Sequence, residues 1–140
     1  MSARPKLQGV IFSDLGVASR FMSLAWVQRT LADQLGFAPF PATLNVRPAG
    51  QEDAEAWASI QDDPTLFSRM ASYEGSCLAR IYRIAIETGA GDAYRSAQGA
   101  VLVPEVKDYP KDKIEIVAPV RLKDAFGVRD GDRLTLEFLH

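Results

Sequence analysis

Residues 76–88 read SCLARIYRIAIET, and residues 97–104 read AQGAVLVP. In the first stretch apolar and polar side chains take turns, the period-two pattern of a strand with one wet face, and its isoleucines suit a pleated backbone. The GAGD between them, at 89–92, turns the chain back on itself, so the second stretch is the antiparallel and more buried return strand. A long hairpin of this kind calls for further strands to cover its apolar face.

Working outward, the sequence supplies them. KLQGVIFS at 6–13 is a first strand closed by DLG, and TLNV at 43–46 is a short one. KIEIVAP at 113–119 and RLTLEF at 133–138 follow, the last introduced by the turn RDGD at 129–132. Between 24 and 35, Leu24, Val27, Leu31 and Leu35 recur at helical spacing, and Gly36 is a natural stop. QEDAEAWASIQDD at 51–63 reads as an acidic surface helix ended by Pro64, and VRLKDAFGV at 120–128 as a short helix. Trp57 on the acidic helix either packs onto the strands or marks a partner surface. Six or so strands, two or three helices and no regular strand–helix alternation predict a mostly antiparallel β-barrel with helical insertions. The 140 residues form one expected domain, 1–140, large enough to bury a core without disulfides.

Composition narrows the chemistry. Sixteen Lys and Arg against eighteen Asp and Glu give a formal net charge of −2, and no basic block exceeds two residues. That removes the electrostatic footprint of a general nucleic-acid binder, so no nucleic-acid partner is expected. The only cysteine is Cys77 and the only histidine His140, which rules out a Cys/His zinc site and a histidine-based triad. Chemistry must rest on carboxylates, hydroxyls, amides, lysines or a bound cation. No apolar run approaches the roughly twenty residues needed to cross a bilayer, and the first residues lack a signal-peptide core. The expectation is a cytoplasmic protein without a membrane partner.

Three segments carry candidate chemistry. In LGFAPFPATLNV, residues 35–46, Pro39 and Pro41 fix φ and remove two backbone donors, making a stiff extended elbow. Thr43 and Asn45 leave it two residues apart, on one face of a strand. Their hydroxyl and amide oxygens are hard ligands suited to Mg²⁺ when phosphates and water complete the shell. Alternatively, Thr43 bonds locally and Asn45 ends a strand. SDLGVASRF at 13–21 is either an ordinary turn or a loop whose amides hold phosphate oxygens. Glu115 is a carboxylate within an apolar strand: Ile114, Ile116 and Ala118 share one face, Glu115 and Val117 the other. A half-buried carboxylate needs a partner, either a salt bridge or a ligand hydroxyl.

The elbow LGFAPFPATLNV and the tail GAVLVPEVKDYPKDKIEIVAPVRLKDAFGVRDGDRLTLEF resemble the signature segments of the archaeal CTP-dependent riboflavin kinases, with similarity from about residue 7 to 138. The resemblance implies a six-stranded cradle-loop barrel that passes the γ-phosphate of CTP, or another nucleotide, to riboflavin to give FMN. It implies that Thr43 and Asn45 hold Mg²⁺. Asp14, Leu15, Gly16, Val17, Ala18 and Ser19 would form the nucleotide loop, and Val120, Arg121, Leu122 and Lys123 a second nucleotide contact. Lys107 and Glu115 would face the flavin, with Glu115 as hydroxyl acceptor or base.

The chain departs from the family at three places. DLGVA keeps only Gly16 of the family loop's three glycines, Lys107 stands where the family has a threonine, and Ala42 where it has a glycine. Added Cβ atoms restrict positive φ and close approach of phosphate, whereas Lys107 brings a positive charge. The competing expectation is a non-catalytic barrel that binds a flavin or nucleotide after losing the phosphate loop. A DNA-binding barrel is a third reading, opposed by the acidic charge balance.

Overall fold

The computed structural model describes residues 4–13, 22–71 and 77–140. In chain order the strands are β1 (Lys6–Phe12), β2 (Leu44–Pro48), β3 (Ser68–Ala71), β4 (Cys77–Thr88), β5 (Arg95–Pro104), β6 (Ile114–Val117) and β7 (Arg133–Phe138). The helices are α1 (Ala25–Leu35), α2 (Gln51–Gln61) and α3 (Leu122–Phe126). The sheet runs β3-β4-β5-β6-β2-β1-β7, and β7 also pairs with β4. Six antiparallel strands therefore close into a barrel, with β3 added outside it.

The length of β4 makes this closure possible. Its first half pairs with β3, from Ser68 opposite Ile81 to Ala71 opposite Cys77. Its second half pairs with β7, from Ile84 opposite Phe138 to Glu87 opposite Thr135. The hairpin partner β5 runs along almost the whole of its other edge, from Ala79 opposite Pro104 to Thr88 opposite Arg95.

Alternation sends one set of side chains inward. Leu7, Ile11, Leu44, Val46, Tyr82, Ile84, Ile86, Val101, Ile114, Ile116, Leu134, Leu136 and Phe138 fill the barrel. Helix α2 closes it with Trp57 and Ile60, and the Trp57 ring lies 5.6 Å from that of Tyr82 and 5.8 Å from that of Phe138. The acidic first turn of α2 suits the helix N-terminus, and Asp53 there accepts a 2.8 Å hydrogen bond from the backbone of Gln8 on β1.

The wet face expected for residues 76–88 is wet only in part. Helix α1 lays Val27, Leu31 and Leu35 over Ala79 and Ile81 of β4, Ala100 and Leu102 of β5, and Val117 of β6. This forms a second core outside the barrel, and each aliphatic side chain buried there is worth about 1.5–3 kcal/mol. Beyond α1, from Arg83 onward, the outward face of β4 meets solvent. Among the described residues no helix is long and apolar enough to cross a membrane.

Helix α1 ends where the sequence predicts. Gly36 adopts φ 81°, a left-handed cap, and its N–H returns to the Ala32 carbonyl. The Arg83 guanidinium donates to the carbonyls of Gln34 and Leu35, placing a cation at the negative helix end. The proline elbow follows. With Pro39 and Pro41 lacking donors, Phe40 N–H binds the Ala118 carbonyl at 2.8 Å and Ala42 N–H the Phe40 carbonyl at 2.7 Å. The elbow is thus fastened to the chain just beyond β6.

Candidate functional site

The register lines up four residues on the outward face of the barrel. Leu102 on β5 stands opposite Glu115 on β6, Glu115 opposite Asn45 on β2, and Asn45 opposite Phe12 on β1. Their neighbours Val101, Ile114, Ile116, Leu44, Val46 and Ile11 all point into the barrel.

Glu115 is 8% exposed, the one buried charged residue among those described. Its partner is Lys113, two residues earlier on the same face, with Nζ 3.1 Å from Oε1. The ammonium also lies 5.7 Å from the centroid of the Tyr109 ring. A carboxylate at this depth requires such a partner, since removing it from water unpaired is costly.

Asn45 differs in one atom. Its Oδ1 is buried and has no hydrogen-bond partner among the described residues. Folded proteins satisfy nearly all such atoms, and leaving one unmade costs about 1–3 kcal/mol. No group of three or more His, Cys, Asp or Glu that could hold a metal ion occurs among the described residues. A cation bound at Asn45 would take the amide oxygen and oxygens brought by a ligand, a donor set that fits a hard divalent ion.

Next to this row opens a cleft of about 140 Å³, lined by Phe40, Ala42, Thr43, Leu44, Ile116, Ala118, Val120, Arg121, Leu122 and Lys123. The elbow forms one wall and the approach to α3 the other. Leu122 is anchored in the barrel core, which fixes the second wall. The Lys123 ammonium is 3.1 Å from Asp130 Oδ1, and the Ser13 hydroxyl donates to Oδ2 of the same carboxylate at 2.5 Å. These two contacts, the hydroxyl first and the ammonium second, hold the Asp130 carboxyl below the usual aspartate range. One carboxylate therefore ties the end of the β1 segment to the wall carrying Lys123.

The residues singled out in the sequence fall into groups. Thr43 lines the cleft with Val120, Arg121, Leu122 and Lys123, while Asn45 and Glu115 are paired across β2 and β6. β2 begins at Leu44, so Thr43 belongs to the elbow rather than to the strand. Lys107 is exposed on the β5–β6 connection and is not among the residues lining the cleft. Asp14, Leu15, Gly16, Val17, Ala18 and Ser19 lie outside the described residues. Sequence reasoning missed Lys113 and Asp130. Lys113 was open to the period-two rule that singled out Glu115, whereas Asp130 read only as part of a turn.

Residues 11–138 match the sequence profile of the CTP-dependent riboflavin kinase domain, which is described as "Domain of unknown function DUF120". The chain is 35% identical to a riboflavin kinase of Pyrobaculum arsenaticum, over 96% of this chain and 60% of that protein. It is 34% identical to a riboflavin kinase of Pyrobaculum calidifontis, over 94% of this chain and 59% of the relative. A riboflavin kinase of Archaeoglobus fulgidus is 28% identical, over 96% and 54% respectively. The chain thus spans between 54% and 60% of the length of these relatives.

Proposed function

The chain belongs to the CTP-dependent riboflavin kinase family, and from that footing we propose that it phosphorylates riboflavin to FMN with CTP as donor. The observation that carries this reading is the buried Asn45 Oδ1, without a hydrogen-bond partner among the described residues, in register with Glu115 and close in sequence to the cleft-lining Thr43. That Thr43, Asn45 and Glu115 are all present favours a kinase over a barrel that only binds.

In the proposed reaction the terminal ribityl hydroxyl oxygen bonds to the γ-phosphorus as the bond from that phosphorus to the β–γ bridging oxygen breaks. CDP departs with the electron pair, and the hydroxyl proton passes to the Glu115 carboxylate. Lys113, with Nζ 3.1 Å from Oε1, holds the Glu115 carboxylate in place on the outward face. Thr43 and Asn45 would hold Mg²⁺ through their side-chain oxygens. When bound, the ion neutralises phosphate charge. Val120, Arg121, Leu122 and Lys123 form a wall for the nucleotide, and the family resemblance assigns Asp14 to Ser19 to nucleotide binding and Lys107 to the flavin. Most of the rate in such a transfer comes from positioning and charge neutralisation, so few side chains need move protons. A reaction drawing on CTP and riboflavin belongs in the cytoplasm.

Purified protein incubated with riboflavin, Mg²⁺ and CTP, ATP or GTP in turn tests the reading, with FMN followed by chromatography. FMN formed with CTP and lost in Thr43→Ala/Asn45→Ala is the expected result. Absence of FMN with every donor would refute it.

A further inference from the structure

We infer that Arg47 is a phosphate-contacting residue of this site, a guanidinium held ready for the polyphosphate of the nucleotide. The inference rests on the kinase reading above and adds a cation that reading does not use. Arg47 lies two residues beyond Asn45 on β2, so its side chain leaves the barrel on the same outward face. Its own cross-strand partner is Val10, yet its Cζ sits 4.2 Å from the ring centroid of Phe12, the partner of Asn45. The guanidinium therefore leans from its own rung of the sheet toward the rung that carries Asn45 and Glu115.

The cations that line the cleft or pair with Glu115 are already engaged. Lys113 is paired with Glu115, Arg121 with Asp124 and Lys123 with Asp130. Arg80, also stacked on a phenylalanine, gives its N–H groups to Glu105 and the Gln61 carbonyl. Arg47 makes no ion pair or hydrogen bond among the described residues, so none of its five N–H donors is taken up by them. Stacking limits the rotamers of a long side chain while leaving the edge of the guanidinium free, and that edge matches two phosphate oxygens at once. At Lys113, Arg121 and Lys123 a triphosphate approaching Asn45 would meet cations already paired with carboxylates.

CTP binding in Mg²⁺ without riboflavin, measured by calorimetry, and FMN formation should be compared in wild type, Arg47→Ala, Arg47→Lys and Arg47→Gln. Arg47→Ala is expected to weaken CTP binding and lower kcat/KM for CTP by about tenfold or more, with CMP affinity less affected. Arg47→Lys should recover part of the loss. Arg47→Gln keeps the stem over Phe12 and serves if Arg47→Ala does not fold. Unchanged CTP affinity and kcat/KM in the folded variants would overturn the inference and leave the kinase reading intact. Arg47-dependent CTP binding without FMN formation would support the inference and remove the kinase reading. A wild-type protein that binds no CTP would overturn both.

Discussion

Asn45 and Glu115 face each other directly across β2 and β6, an amide oxygen with no hydrogen-bond partner among the described residues beside a buried, lysine-paired carboxylate. The two are in register because the inward neighbours on both strands are aliphatic and fix which side chains turn outward. The barrel core thus sets the geometry of the site without lending it a single polar group.

Replacing Asn45 should separate stability from activity. Its Oδ1 makes no hydrogen bond to the described residues, so Asn45→Leu, of similar size, removes a cost of about 1–3 kcal/mol rather than a contact. The melting temperature is expected to hold or rise, while FMN formation falls below about 1% of wild type. Thermal unfolding and the chromatographic assay, run on the same preparation, check both halves. Retained turnover would show that this oxygen binds nothing the reaction needs.

Glu115 and Lys113 should behave as a coupled pair. Glu115→Gln keeps the shape but takes from a mostly buried ammonium its 3.1 Å carboxylate partner, at a cost of about 1–3 kcal/mol, and should slow turnover at least about a hundredfold. Lys113→Met leaves the more deeply buried carboxylate without this partner and should destabilise more. The double variant should regain part of the loss in urea unfolding, because neither charge then lacks its mate. Strict additivity would mean that the 3.1 Å contact carries no energy.

Much of this was legible in the chain because it rests on local periodicity. The alternation of residues 76–88 gave β4, and the spacing of Leu24, Val27, Leu31 and Leu35 gave α1. The same rule placed Glu115 and Val117 on a face opposite Ile114 and Ile116. What sequence reading missed depends on distant segments meeting. Among the described residues the four residues of β3 pair with β4 alone, and nothing local marks them as a strand. Ala79 and Ile81 look like part of a wet face until α1, far away in sequence, covers them. Asp130 is a turn residue by every local sign, and only the closing of β1 against the turn before β7 brings Ser13 to it.

The Asp130 link carries a pH signature. Its folded pKa is depressed, so its contribution is fully present above the pKa of unfolded aspartate and is lost as pH falls through the lower folded value. In a carbon-detected NMR titration the Asp130 carboxyl should titrate below free aspartate. Ser13→Ala and Lys123→Ala should each shift it upward, since the hydroxyl and the ammonium both hold it down. A titration indifferent to both substitutions would mean that the cleft wall and the β1 segment are not joined through this carboxylate.

Trp57 joins the barrel closure to the loop that leads into the site. Its ring packs on Tyr82 and Phe138, and its Nε1–H donates to the Lys111 carbonyl at 3.2 Å, in the connection between β5 and β6. Trp57→Ala opens a cavity at the end of the barrel and should cost about 3–5 kcal/mol in urea unfolding, much of a typical domain's stability. Trp57→Phe fills most of that space but leaves the Lys111 carbonyl without its donor, so global stability should fall less. Its effect should concentrate instead on the connection, where the Lys113 amide, bonded to the Pro110 carbonyl at 3.3 Å, should exchange with deuterium faster than in wild type. Because Lys113 holds Glu115, FMN formation by Trp57→Phe should drop even where the protein remains folded. Unchanged Lys113 exchange in that variant would mean that the indole closes the barrel without steadying the site.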